Sequence, residues 1–586
     1  MTAPRSAHPI SIANSRRVFL LFWLPSLLSI SFLLTDRLSE PFTITYDMGI
    51  QLNATENLLA NGRLTSDHFA TYQPDLLAKP QTKYLTWFPP GFSVTIAALR
   101  TTGLSLVASL RVFDSFMLLS GWIGWFSLAW FASRQALNQK PYHLLWIVPA
   151  LMAMPLALSP WAGGTDSALF AATPWVLICL FRYYENGAWR YAATAGILVA
   201  ALVAFRYTAL FLAPLFLIGL LPFVVHNWRV AARFAIISIV AFALGMVPLF
   251  IYNTIANQGA PVPPYAWQNL TPAFLLHRLS KIIFALPSIS SILGLAPFDR
   301  FISSLSQESA YRPVLGILLL LLLFGTSAGA FIFLCRVRRD NSMIIWLLLV
   351  STCVLVSFLA ASSVVISAVS LPAYIVLGDG RYYMPVLPAI PIVLMIAWSL
   401  QVPSTVRRAA LAVGISWSAY FCVDTYVLRS WRNLDFPLNS FLSKSPVELH
   451  SLKDFFKLES RPPRFSSVNR LDAHYNAIQI HPWLDQLRGE HPRAIFFVQH
   501  LPYFEYREPN TTLRGIPETS YWQRAYASRS VQLFFFVMDD GDAITSSLMR
   551  THVTISNHFP VVKVATRHGW TLFTATIPEG ARLHHD

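Results

Sequence analysis

Long uninterrupted apolar runs dominate this chain, and they leave few ways to fold it. A helix needs roughly 20 mostly apolar residues to cross the hydrocarbon of a bilayer. Runs of that order lie near residues 18–35, 111–132, 142–159, 167–184, 191–205, 207–225, 233–252, 313–335, 343–370, 383–400 and 407–427. That predicts about eleven transmembrane helices. Only 12% of the 586 residues are charged, against roughly 25% in a soluble domain. Together these exclude a plain soluble enzyme, a disordered chain and a disulfide-stapled secreted scaffold. The four cysteines, Cys179, Cys335, Cys353 and Cys422, fall in or beside apolar runs and read as buried thiols.

Basic residues orient the spans, because short cytoplasmic loops carry an excess of Lys and Arg. Arg16 and Arg17 precede the first run, which reads as an uncleaved signal anchor with a cytoplasmic N-terminus. The short loops bearing Arg134 and Lys140, Arg182 and Arg190, Arg229 and Arg233, Arg336 to Arg339, and Arg407 with Arg408 then all fall inside. One extra span would invert every later loop. Residues 89–106 are apolar enough to be counted, but counting them breaks this agreement. They are therefore expected as a helix on the outer face, and residues 273–297 are treated alike.

The net charge of +15 is thus mostly a property of inward loops. The basic residues follow topology rather than one patch, so nucleic acid is not an expected partner. Beyond residue 428 no run reaches spanning length, and charged residues become frequent. The expected organisation is a mainly α, multi-pass membrane domain over 1–428 and a C-terminal extracytoplasmic α/β domain over 429–586. The first outer loop, 36–110, is expected to carry amphipathic surface helices. Strand-like runs appear at 494–498 and 531–538, and a hairpin is expected from 561–565 and 571–577 around His568-Gly569-Trp570.

Polar groups at the outer boundary carry the functional information, since ionisable residues at a membrane are rarely idle. Tyr46-Asp47 opens a helical stretch that continues past Glu56, where Asp47 is also a plain helix cap. Lys83-Tyr84-Leu85-Thr86-Trp87-Phe88-Pro89-Pro90-Gly91 makes an aromatic corner. Lys83 there either meets a phosphate or snorkels toward headgroups. Thr165-Asp166 forms the outer turn before the fourth span, where Asp166 is placed to cap it. Arg206 lies in the turn between spans five and six, with no acidic neighbour in sequence. Asp379-Gly380-Arg381-Tyr382-Tyr383 opens span ten, where Asp379 and Arg381 either pair or face a ligand.

In their order and sidedness these features resemble the GT-C class of membrane glycosyltransferases. The likeness is to the branch holding dolichyl-phosphate-mannose protein mannosyltransferases and the bacterial aminoarabinose transferases of lipid A. It covers residues 18–430, its last motif being Arg381-Tyr382 followed by Pro385 and Pro388. The resemblance implies that Asp47 is the catalytic base and that Asp166 shapes the active site or acceptor position. It implies that the donor phosphate is held by Arg206, Arg381 or Lys83, beside a cavity lined by Tyr46, Glu56, Tyr84, Trp87, Tyr382 and Tyr383. Many members place His or Lys directly before the Pro-Pro corner. Here Phe88 stands there, which shifts weight from Lys83 to Arg206 and Arg381. Asp47 is followed by Met48 rather than a second acid, so a divalent metal is compatible with this chemistry but not indicated.

The implied activity is transfer of a sugar, with inversion, from a polyprenyl-phosphate donor to a lipid, glycan or protein acceptor. It takes place at the outer face of the inner (plasma) membrane, in the cell envelope. Phosphate is a good leaving group and needs charge stabilisation more than protonation. One carboxylate then suffices to activate the acceptor for displacement. Two other readings remain. A transporter or flippase of a lipid-linked or anionic substrate predicts repeats and midplane charges. A non-catalytic scaffold predicts an outer domain that binds a partner.

Overall fold

The computed structural model describes residues 46–70, 80–86, 88–137, 165–213, 228–256, 480, 482–492, 494–498, 530–538, 560–567 and 570–579. By packing, the chain divides into two units. One comprises Met1–Glu40 and Arg111–Arg461, the other Pro41–Leu110 and Pro462–Asp586.

In the second unit, helix α1 spans Tyr46–Asn61, followed by strands β1 (Thr65–Ala70) and β2 (Pro80–Tyr84) and helix α2 (Gly91–Thr101). Helix α1 lies in the loop expected to carry amphipathic surface helices. Residues 48–55 are buried all round, and exposure begins only near Leu59. Burial on this scale is eased by hydrogen bonds that polar side chains make inside the packing. The Ser93 hydroxyl donates to Gln51 O at 2.8 Å, and Thr55 donates to the same oxygen at 2.9 Å. Ser66 donates to Asn53 Oδ1 at 3.2 Å. Helix α1 stops at Gly62, whose φ of 68° closes the end by a bond from its N–H to Leu58 O.

The antiparallel β1–β2 pair was not expected from its polar, non-alternating sequence. Helix α2 falls within the segment 89–106 expected as a helix on the outer face. Phe92, Ser93, Ile96 and Ala97 are buried while Val94 faces out, and its 11 residues are too short to span.

The C-terminal residues form a four-stranded sheet in the order β3-β4-β6-β5, from β3 (Ile495–Val498), β4 (Val531–Met538), β5 (Val561–Arg567) and β6 (Trp570–Ile577). β3 pairs parallel with β4, and the other pairings are antiparallel. These strands lie where the β-like runs predict them, and the β5–β6 hairpin forms. Helix α7, over residues 482–490, lies on one face of the sheet. Trp483, Leu484 and Leu487, with the preceding Ile480, meet Phe496, Phe534, Phe536, Trp570 and Leu572. The spacing i, i+3, i+4, i+7 is one helical stripe.

In the first unit the described helices are α3 (Leu106–Leu137, which begins at the unit boundary), α4 (Thr165–Asn186), α5 (Trp189–Phe205) and α6 (Trp228–Ala256). They coincide with four of the expected spans. The expected span from 207 opens instead as a 3₁₀ turn, Tyr207–Leu212. Among the described residues α6 is the helix long and apolar enough to cross a membrane, and α5 is a shorter apolar one.

Helix α5 packs between α4 and α6. Its contact with α6 uses small residues. A Cβ on Gly196 would run into the Ser238 carbonyl, and one on Gly245 would lie 2.7 Å from the Ala200 Cβ. The Ser238 hydroxyl donates across this seam to Ala192 O at 3.0 Å. Close backbone approach through small residues is how helices associate where lipid removes the hydrophobic drive between them. The opposite face of α6 exposes Ile236, Ile239, Val240, Leu244, Val247 and Ile251. The expected spans near 18–35, 142–159 and from 313 to 427, and the segment 273–297, lie outside the described residues.

Candidate active site

Helix α5 is apolar to Phe205 and ends at Arg206, whose backbone is extended (φ −154°, ψ 121°). The Arg206 N–H closes the helix on Leu202 O at 2.8 Å. Its carbonyl accepts from Ala209 N–H at 2.9 Å, starting the 3₁₀ turn. Arg206 therefore sits on one extended residue between two helical segments. Its guanidinium Nη1 donates to the Thr165 hydroxyl at 3.3 Å.

Thr165 is the first residue of α4, so the contact brings a fixed cation to a helix N-terminus. Backbone N–H groups there are unpaired within the helix and carry partial positive charge. Asp166 lies in the first turn of α4 rather than at its cap, and its side chain is outside the described residues. The turns that carry Asp166 and Arg206, 40 residues apart, thus share one end of the helix cluster.

Two further contacts fix that end. The Tyr207 hydroxyl donates to Asn253 Oδ1 at 3.2 Å, near the C-terminus of α6. The Phe205 ring stacks on Phe113 of α3, with centroids 6.0 Å apart. The other end of the cluster lies about 25 Å away, the length of the 17-residue α5. There the Tyr183 hydroxyl donates to Val230 O at 3.2 Å, and Arg190 and Arg229 are exposed. The basic loop residues and Arg206 therefore occupy opposite ends, as the sidedness of the sequence predicts.

In the other unit, Asp47 lies in the first turn of α1, with its side chain and that of Tyr46 outside the described residues. Lys83 lies on β2, in register with Ser66 on β1; its side chain is likewise not described. Tyr84 is exposed and pairs in register with Thr65. Glu56, expected along the substrate cavity, makes an ion pair with Arg100 that ties α1 to α2. Trp87, Arg381, Tyr382 and Tyr383 lie outside the described residues. Among the described residues no three His, Cys, Asp or Glu side chains gather as a metal site requires.

The residues that the sequence reading passed over are Phe113 and Asn253. Asn253 had a usable signal. It is an amide near the end of an otherwise apolar span, and such a group needs a partner when buried.

No family model matches the chain, and no curated protein matches it. The structure is similar to the crystal structure of ArnT from Cupriavidus metallidurans in the apo state. Identity is 14% and the TM-score 0.49, covering 96% of this chain and 98% of that one. It is also similar to the same protein bound to undecaprenyl phosphate, at 12% identity and TM-score 0.47, covering 95% and 97%. Both solved structures are of ArnT, and the likeness extends over nearly the full length of each chain.

Proposed function

We propose that this chain is a multi-pass membrane glycosyltransferase using a polyprenyl-phosphate-linked sugar as donor. It transfers the sugar to a lipid, glycan or protein acceptor at the outer face of the inner membrane. Its N-terminus is cytoplasmic and its C-terminal domain extracytoplasmic.

The observation that carries this reading is the hydrogen bond from Arg206 to Thr165. A guanidinium held at the first turn of a helix combines two attractions for a phosphate, a full charge and the helix N-terminus. It lies at the end opposite the exposed arginines, so inward-loop bias does not explain it. The order and sidedness of the sequence motifs support the same assignment.

In the proposed reaction Asp47 accepts the proton of the acceptor hydroxyl or amine. The acceptor atom bonds to the anomeric carbon as the bond from that carbon to the phosphate oxygen breaks. The configuration inverts, and polyprenyl phosphate leaves with the bonding electrons. Arg206 stabilises the charge that develops on that phosphate, and Arg381 and Lys83 are the further candidates for this role. Asp166 shapes the acceptor side. Tyr46, Tyr84, Trp87, Tyr382 and Tyr383 line the cavity. Glu56 lines it as well, held by its pair with Arg100.

The test is transfer of labelled sugar from a lipid-linked donor in membranes containing this protein. Donor-dependent labelling of an acceptor is expected. Movement of the donor across the bilayer without labelling would replace this reading with a flippase.

A further inference from the structure

Arg206 is flanked by two residues, and each is tied to a different helix. Phe205 stacks on Phe113 of α3, and Tyr207 donates its hydroxyl to Asn253 of α6. The guanidinium itself reaches α4. Asn253 is 4% exposed in a helix that is otherwise strongly apolar. Burying an amide in such a setting is unfavourable unless it is hydrogen-bonded. Its oxygen is used on the residue that follows Arg206.

That arrangement answers a requirement of phosphate binding. Arginine has a long side chain whose ordering opposes binding, and a site gains affinity when the chain is aimed beforehand. Arg206 is itself the single extended residue between two helical segments, so its neighbours set its direction. Twisting Tyr207 away from α6 would rotate that residue and swing the guanidinium off the first turn of α4.

We propose that the Tyr207–Asn253 hydrogen bond is a latch that sets the direction of Arg206 toward the phosphate of the lipid-linked donor. This rests on the reading of Arg206 as a phosphate ligand. Tyr207 and Asn253 are positioning residues. They act through Arg206 rather than on the donor.

The test titrates the full chain in lipid nanodiscs with undecaprenyl phosphate and, separately, with undecaprenol, which lacks the phosphate. Tyr207→Phe and Asn253→Ala are each expected to weaken undecaprenyl phosphate roughly 3- to 10-fold, as loss of one hydrogen bond does. Undecaprenol binding stays unchanged. The double variant is no weaker than either single one, and in an Arg206→Ala background neither change has a further effect.

Equal weakening for undecaprenol, or a Tyr207→Phe effect that persists without Arg206, would show a merely structural role and overturn the latch. So would a silent Tyr207→Phe beside a weakened Arg206→Ala. An Arg206→Ala variant that binds like the parent overturns instead the underlying reading of Arg206. Tyr207→Phe removes one oxygen and keeps the ring, so it decides the matter even where Asn253→Ala fails to fold.

Discussion

Arg206 donates to the Thr165 hydroxyl at 3.3 Å across 41 residues of sequence, joining the end of one apolar helix to the start of another. The contact places a cation where a helix presents its free N–H groups. Arg206→Ala is expected to lower the sugar-transfer rate about 10²- to 10³-fold, the usual result of removing one preorganised charge-stabilising donor. Arg206→Lys recovers part of it, because an ammonium keeps the charge but loses the planar fork. Transfer assays at matched membrane protein level check both.

Asp47 stands in the first turn of α1, where exchanging the carboxylate for Asn forfeits only about 0.3–1 kcal/mol of interaction with the helix dipole. Asp47→Asn therefore separates the two roles of the carboxylate. As a general base its loss lowers transfer about 10²- to 10⁴-fold while folding and binding of undecaprenyl phosphate persist. As a structural residue alone, its replacement by Asn leaves transfer unchanged.

Gly196 marks the closest approach of α5 to α6, where a side chain would meet the Ser238 carbonyl. Gly196→Leu is expected to destabilise the detergent-solubilised protein by about 1–3 kcal/mol, through forced separation of the helices. Ile239→Ala, on the exposed face of α6, is expected to change little. Thermal melts of the two variants give the contrast.

Glu56 and Arg100 pair with side chains 34% and 28% exposed. Solvent screening limits such a pair to about 0.2–1 kcal/mol. A double-mutant cycle with Glu56→Gln and Arg100→Gln should return a coupling in that range, shrinking in high salt. A much larger value would point to a role for Glu56 beyond holding α1 to α2.

Trp570 is fully buried where α7 covers the C-terminal sheet. Trp570→Ala is expected to destabilise that packing by about 3–5 kcal/mol. In the full chain the expected readout is faster proteolysis within residues 462–586, with the helices of the other unit remaining resistant.

The sequence by itself determined where the long elements lie. The apolar runs at 111–132, 167–184, 191–205 and 233–252 became α3 to α6, and the aromatic and β-branched runs became β3 to β6. Those signals are local. Apolar side chains in an unbroken run make a helix or a buried strand wherever the rest of the chain goes. The separation of Arg206 from the loop residues Arg190 and Arg229 was also legible, because basic residues mark loop ends one by one.

What only the tertiary structure decided is who meets whom. The polar segments that pair as β1 and β2 carry no alternation, so only their register identifies them as strands. Glu56 carries no sign in the sequence of its partner Arg100, 44 positions away. Asn253, just past the expected span, gains its meaning only from Tyr207, 46 positions away, which donates to it. Hydrogen bonds and ion pairs of this kind depend on positions to within a few tenths of an ångström. Composition and spacing along the chain do not contain that information, because it arises only when separate helices are packed against one another.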